Sequence, residues 1–99
     1  MLEINELTRT TITIDFADET GTPVIPASFT YLIDEPATAT VIVAEATVNP
    51  TGASHQLVVT AAWNKCVTGK DELRRVTVIA AGLAASEYNY KLKKLKGVL

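Results

Sequence analysis

The chain has one cysteine, Cys66, one histidine, His55, and one tryptophan, Trp63, among its 99 residues. A lone cysteine excludes an internal disulfide and leaves no cysteine-rich metal framework, so stability has to come from packing. A lone histidine means that any histidine-based acid, base or metal role rests on His55 alone. Apolar residues never run to 18 in succession, and the opening MLEINELTRT lacks the positive start and apolar stretch of a signal peptide. Neither membrane spanning nor secretion is expected. No glycine-rich phosphate loop and no nucleophile elbow occurs around Ser28, Ser54 or Ser86, so no enzyme and no cofactor is expected.

What is present is an ordinary globular composition, 47 % hydrophobic and 20 % charged. One domain over 1–99 is expected, large enough to bury roughly 60 to 65 % of the surface its unfolded chain exposes. The net charge of −2 hides an uneven distribution. Residues 1–50 carry eight acidic side chains against Arg9 alone, whereas residues 51–99 carry eight bases against Asp71, Glu72 and Glu87. Either acidic early strands lie beside basic late strands within one fold, or the two signs form complementary surfaces in an assembly.

Period-two alternation dominates the chain. In 8–16, TRTTITIDF, the residues Ile12, Ile14 and Phe16 share one face and Thr11, Thr13 and Asp15 the other. Gly21 closes a turn. The stretch 21–34, GTPVIPASFTYLID, carries Pro23 and Pro26 and then alternates through Phe29, Tyr31 and Ile33, which predicts a second strand. A β-branched run over 37–48 and an alternating run over 54–61 flank the turn Asn49-Pro50-Thr51-Gly52. Segment 61–70, AAWNKCVTGK, breaks the alternation and is read as a short helical turn near 61–67 plus a loop. Strands follow over 74–80, with Val76, Val78 and Ala80 inward, and over 87–95, with Tyr88, Tyr90 and Leu92 on one face. Residues 1–7 are either a docked strand or an N-terminal arm.

Six to seven short strands without βαβ spacing predict an all-β, immunoglobulin-like antiparallel β-sandwich; the alternative is a small open barrel. His55 is expected to face solvent, and Cys66 to fill a small buried space. The pairs Asp18-Glu19, Asp34-Glu35 and Asp71-Glu72 are expected as solvated turn residues, since none has calcium-loop spacing. Trp63 either anchors a partner or plugs an open end of the sandwich. The lysines of YKLKKLKGVL, including Lys91, Lys93 and Lys94, read as protection of an edge strand, and neither nucleic acid nor membrane is expected as a partner.

The order GTPVIPASFTYLID, an Asn64-bearing turn, RRVTVIAAG and a closing EYNYKLKKL resembles small immunoglobulin-like structural proteins of tailed bacteriophages. The resemblance implies a non-catalytic virion component assembled in the host cytoplasm, at the head, the head-to-tail junction, the tail or the baseplate. It would act in many copies through contacts with itself or with other virion proteins. Pro23, Pro26, Trp63, Lys91, Lys93 and Lys94 are the candidate interface residues. The alternative is a carbohydrate- or receptor-binding module that uses Trp63, Tyr88 and Tyr90.

Overall fold

A computed structural model describes residues 2–95 of the chain. The expected alternation forms seven strands: β1 (Leu2–Asn5), β2 (Thr10–Asp15), β3 (Phe29–Glu35), β4 (Thr40–Val48), β5 (Ser54–Val59), β6 (Glu72–Ala80) and β7 (Ser86–Lys93). They divide into a five-stranded sheet in the order β1-β7-β6-β3-β4 and a two-stranded sheet of β2 and β5. No pairing among the described residues joins the sheets, so the arrangement is a β-sandwich and not a closed barrel. Placing β3, β6 and β7 in one sheet and β2 and β5 in the other is the strand division of immunoglobulin-like domains.

Each strand contributes the face its sequence marks as apolar. Ile12, Ile14 and Phe16 from one sheet meet Phe29, Tyr31, Ile33, Val76, Val78, Ala80 and Tyr90 from the other, with Leu57 and Val59 from β5. Each Val, Leu, Ile or Phe side chain among them, moved from water to this interior, stabilises the fold by about 1.5 to 3 kcal/mol before entropy is counted. Phe16 and Phe29 lie across the sheets with ring centroids 5.1 Å apart.

The sandwich is long and narrow, 46 × 21 × 21 Å. Its two ends differ. Pairing registers place the β2–β3, β4–β5 and β6–β7 connections at one end, and the β1–β2, β3–β4 and β5–β6 connections at the other. The second set gathers the buried ionisable groups Glu6, Glu35, Glu72 and Arg74.

Several expectations are corrected. The sandwich is mixed, not wholly antiparallel: β1 runs parallel to β7, with Leu2 opposite Tyr90 and Asn5 opposite Lys93. Residues 1–7 therefore include a docked strand, and β7 is an interior strand whose lysines do not guard an edge. Residues 61–67 form no helix, but a turn closed by the Asn64 amide on the Ala61 carbonyl at 3.2 Å. A helix would need the Trp63 and Lys65 carbonyls for its own ladder, and Arg74 takes both.

The third strand starts at Phe29, so Pro23 and Pro26 lie in the link before it. Proline cannot donate to a ladder, and the link makes one bridge, Ala17 to Pro23, before crossing to the other sheet. Asp18 closes the loop ahead of that bridge by accepting the amides of Thr20 at 2.9 Å and Thr22 at 3.0 Å. Gly21 adopts φ +84° there, the conformation its lack of a side chain permits. His55 does not face solvent. It points inward from β5, half-buried, with its ring edge-on to Phe29 at 5.2 Å.

Candidate functional site

β6 alternates as inward Glu72, Arg74, Val76, Val78 and Ala80 against outward Leu73, Arg75, Thr77 and Ile79. The inward row thus begins with an acid and a base inside the sandwich. Arg74 is fully buried, as are Glu6, Glu35 and Asn64 around the same end. A buried ion is tolerated only when its hydrogen-bonding capacity is met, and here it is. The Arg74 guanidinium forks onto Glu72 through Nε at 2.9 Å and through Nη2. It also donates to the carbonyls of Trp63 and Lys65, each at 2.7 Å. Glu72 accepts the Val67 and Thr68 amides at 3.0 Å and the Thr68 hydroxyl at 2.8 Å.

The β1–β2 link closes the cluster from the opposite side. Glu6 accepts the Cys66 amide at 3.0 Å, the Leu95 amide at 2.8 Å and the Lys94 ammonium at 3.0 Å. Asn64 is held in three ways: its Nδ2 donates to the Thr8 carbonyl at 2.8 Å, its Oδ1 accepts the Tyr90 hydroxyl at 2.6 Å, and its carbonyl accepts the Leu7 amide at 2.6 Å. Among the described residues no buried side-chain polar atom lacks a partner.

The electrostatics follow from these contacts. Burial acts to raise the Glu6 carboxyl, but the Leu95 and Cys66 amides and Lys94 outweigh it and hold the group at about 2. Burial likewise works against ionised Glu72, and Arg74 and Thr68 prevail, so its carboxyl is lowered. Thr68 has its counterpart on the next hairpin: the Thr38 hydroxyl and amide lower the Glu35 carboxyl against the effect of burial. Burial, with the carboxylates of Glu72 and Glu6 nearby, pushes the Cys66 thiol up to about 11. Burial also raises the Tyr90 phenol to about 12. At neutral pH the thiol is protonated and is a poor nucleophile. Every carboxylate of the cluster is engaged, and no group of three or more His, Cys, Asp or Glu among the described residues is placed to hold a metal ion.

Asp34-Glu35 and Asp71-Glu72 are therefore not simple solvated turn pairs. Glu35 and Glu72 are buried anchors, and Asp34 is buried on the outer face, where Arg75 meets both its oxygens at 3.0 and 2.6 Å. Only Asp71 is exposed, and it accepts the Lys94 amide at 2.7 Å. The ion pairs Arg75–Asp34, Lys91–Glu3 and Lys94–Glu6 each join a base of the second half to an acid of the first. Three of the eight bases of the second half thus pair with first-half acids within the one domain.

The cluster fixes the β5–β6 connection, and that connection presents Trp63 and Val67 beside β4. Thr40, Val41 and Ile42 of this edge strand line a shallow groove with Ala62, Trp63, Lys65, Cys66 and Val67. Val41 is 55 % exposed and Val67 51 %. Trp63 is half-buried and packs on the core, as a plug would. β4 is nine residues long and carries one charge, Glu45. Its pairing with β3 shifts register twice, between Tyr31 and Ile33 and between Ile33 and Asp34.

The six sequence-selected interface residues do not form one site. Pro23 is exposed and Pro26 half-buried at the end opposite Trp63 and Lys94. Lys91 pairs with Glu3 on the outer face, Lys93 is exposed opposite Asn5, and Lys94 is part of the Glu6 anchor. Nothing in the residue types marks Glu6 or Arg74 as a buried anchor, and Glu72 and Asn64, expected in a solvated pair and in a turn, are buried as well. A signal for two of them existed, because extending the inward register of Val76 and Val78 back by two and by four residues reaches Arg74 and Glu72.

No protein-family model, curated protein or solved structure matches this chain.

Proposed function

We propose that the chain is a non-enzymatic structural protein that works in multiple copies by protein–protein contact at strand edges. Its setting, as the resemblance implies, is the virion of a tailed bacteriophage: a head decoration, a head-to-tail junction component, or a tail or baseplate accessory. The observation that supports the contact mode is β4, which among the described residues is an edge strand with one partner, a single charge and an exposed Val41, lying beside Trp63 and Val67. An exposed edge of that length and apolarity is a template for pairing with another chain. The carbohydrate- or receptor-binding alternative predicts an exposed aromatic platform from Trp63, Tyr88 and Tyr90. Tyr90 is 1 % exposed, and Trp63 and Tyr88 pack on the core.

Mass spectrometry of purified virions tests the setting: the chain is expected among the structural proteins in many copies, and its absence overturns the reading. Val41→Lys tests the edge. It should lower incorporation into particles while leaving the melting temperature of the isolated protein unchanged, and wild-type incorporation would remove β4 from the contact.

A further inference from the structure

Among the described residues β1 pairs with β7 alone, and three of its four side chains, Leu2, Glu3 and Asn5, are exposed. Its hold on the fold is concentrated in the residues that follow. The Glu6 amide donates to the Lys93 carbonyl at 2.9 Å, the Glu6 carboxylate is buried on Cys66, Leu95 and Lys94, and the Leu7 amide reaches the Asn64 carbonyl. From there residues 7–9 must carry the chain from the edge of one sheet to β2 in the other, across a sandwich whose sheets pack about 10 Å apart. Leu7 makes this turn with φ +62°, a left-handed conformation that L side chains resist, and its own side chain is largely exposed. No packing of Leu7 into the core compensates for that conformation.

We propose that β1 exchanges between two copies of this chain: the segment from Leu2 to Glu6 leaves its own β7 and docks on the β7 of a second copy, reciprocally, with the pivot at Leu7. The acceptor is chemically identical, so the parallel ladder, the Glu3–Lys91 ion pair and all three Glu6 anchor bonds reform in the exchanged state. The Leu7 amide travels with β1 and finds the same Asn64 carbonyl. What differs between the closed and exchanged forms is the pivot, where Leu7 returns to negative φ in both copies and the Thr8 carbonyl just beyond it must find its Asn64 Nδ2 donor again. The occupant is specific because only a Glu at the sixth position satisfies the Cys66 amide, the Leu95 amide and Lys94 together. Relief of strain at both pivots is the driving term, and exchange of an identical element is a low-cost route to a symmetric dimer. The inference does not depend on a virion setting.

The test uses the full chain with Cys66→Ala, Glu3→Cys and Lys91→Cys, since Glu3 and Lys91 are register partners with side chains 3.7 Å apart. After incubation at high concentration and oxidation, a disulfide joining position 3 of one chain to position 91 of another is expected on non-reducing gels and peptide mapping. A bond within single chains only, at every concentration and after refolding at high concentration, overturns the proposal. Leu7→Gly accepts positive φ without cost. One left-handed leucine corresponds to about tenfold in an equilibrium constant, so relaxing both pivots should weaken dimerisation about a hundredfold by sedimentation. Circular dichroism confirms that this variant is folded, and a folded Leu7→Gly chain that dimerises as tightly as the parent also overturns the proposal.

Discussion

The Tyr90 hydroxyl donates to Asn64 Oδ1 at 2.6 Å, and with this bond β7 holds the centre of the β5–β6 connection. Asn64 spends its Nδ2 on Thr8, so a single side chain ties two connections to one strand. Tyr90→Phe keeps the ring and leaves Oδ1 buried without a donor. An orphaned buried acceptor costs about 1 to 3 kcal/mol. In a domain of this size each kcal/mol lowers Tm by about 4 to 8 °C. Urea and thermal unfolding should show this loss with an unchanged m-value. An equally stable Tyr90→Phe would mean that Asn64 is satisfied by another route.

Arg74 carries more of the end than Tyr90. Its guanidinium bonds one carboxylate and two carbonyls while fully buried. Arg74→Met fills the space but leaves Glu72 without its counter-charge, and removing one partner of a buried pair costs about 3 to 5 kcal/mol. Arg74→Lys retains the charge without the planar fork and should recover part of that loss. Chemical denaturation of the two variants ranks them, and equal destabilisation would mean that charge, and not the fork, is dispensable.

The alternation of β2, β3, β6 and β7 was legible from the sequence because their inward residues are aliphatic or aromatic at a period of two. The same code concealed the polar end. Glu72 and Arg74 occupy inward positions, but their chemistry reads as surface, and only their partners make burial tolerable. Those partners are distant in sequence: Glu6 meets Cys66 and Leu95, and Asn64 meets Thr8. A parallel β1–β7 pair also joins opposite ends of the chain, and its register depends on Glu6 reaching its seat and not on any local pattern in LEIN. His55 looked exposed because it follows a glycine-bearing turn, yet its register with Leu57 and Val59 turns it onto Phe29.

Stability should fall in acid. Glu6 is held at about 2 against an ordinary 4.5, and Glu35, Glu72 and Asp18 are lowered as well. The unfolded chain therefore binds protons at higher pH than the folded one, so stability rises with pH through this range. The contribution is complete above the ordinary carboxylate range and disappears as pH falls from about 4.5 to about 2. Urea midpoints at pH 7, 5, 4 and 3 should decline progressively below 5. Glu6→Gln should be less stable at pH 7 and show a shallower decline. A decline parallel to that of the parent would place the acid sensitivity in the other carboxylates.

Ala39 ends the β3–β4 turn with φ +57°, and Glu35 fixes that turn by accepting the Ala37 amide at 3.0 Å and the Thr38 amide at 2.8 Å. Because the turn is held from the strand side, the left-handed conformation of Ala39 is imposed and its cost is retained in the folded state. Ala39→Gly removes that cost and gives back part of it as unfolded-chain entropy, for a net gain of about 0.5 to 1 kcal/mol. Ala37→Gly in the same turn, at a residue without positive φ, pays the entropy with no strain to relieve and should be neutral or destabilising. Opposite signs for the two substitutions in thermal unfolding would establish that backbone conformation at Ala39, and not general loosening of the hairpin, sets the effect. Equal signs would remove the strain at Ala39 as its cause.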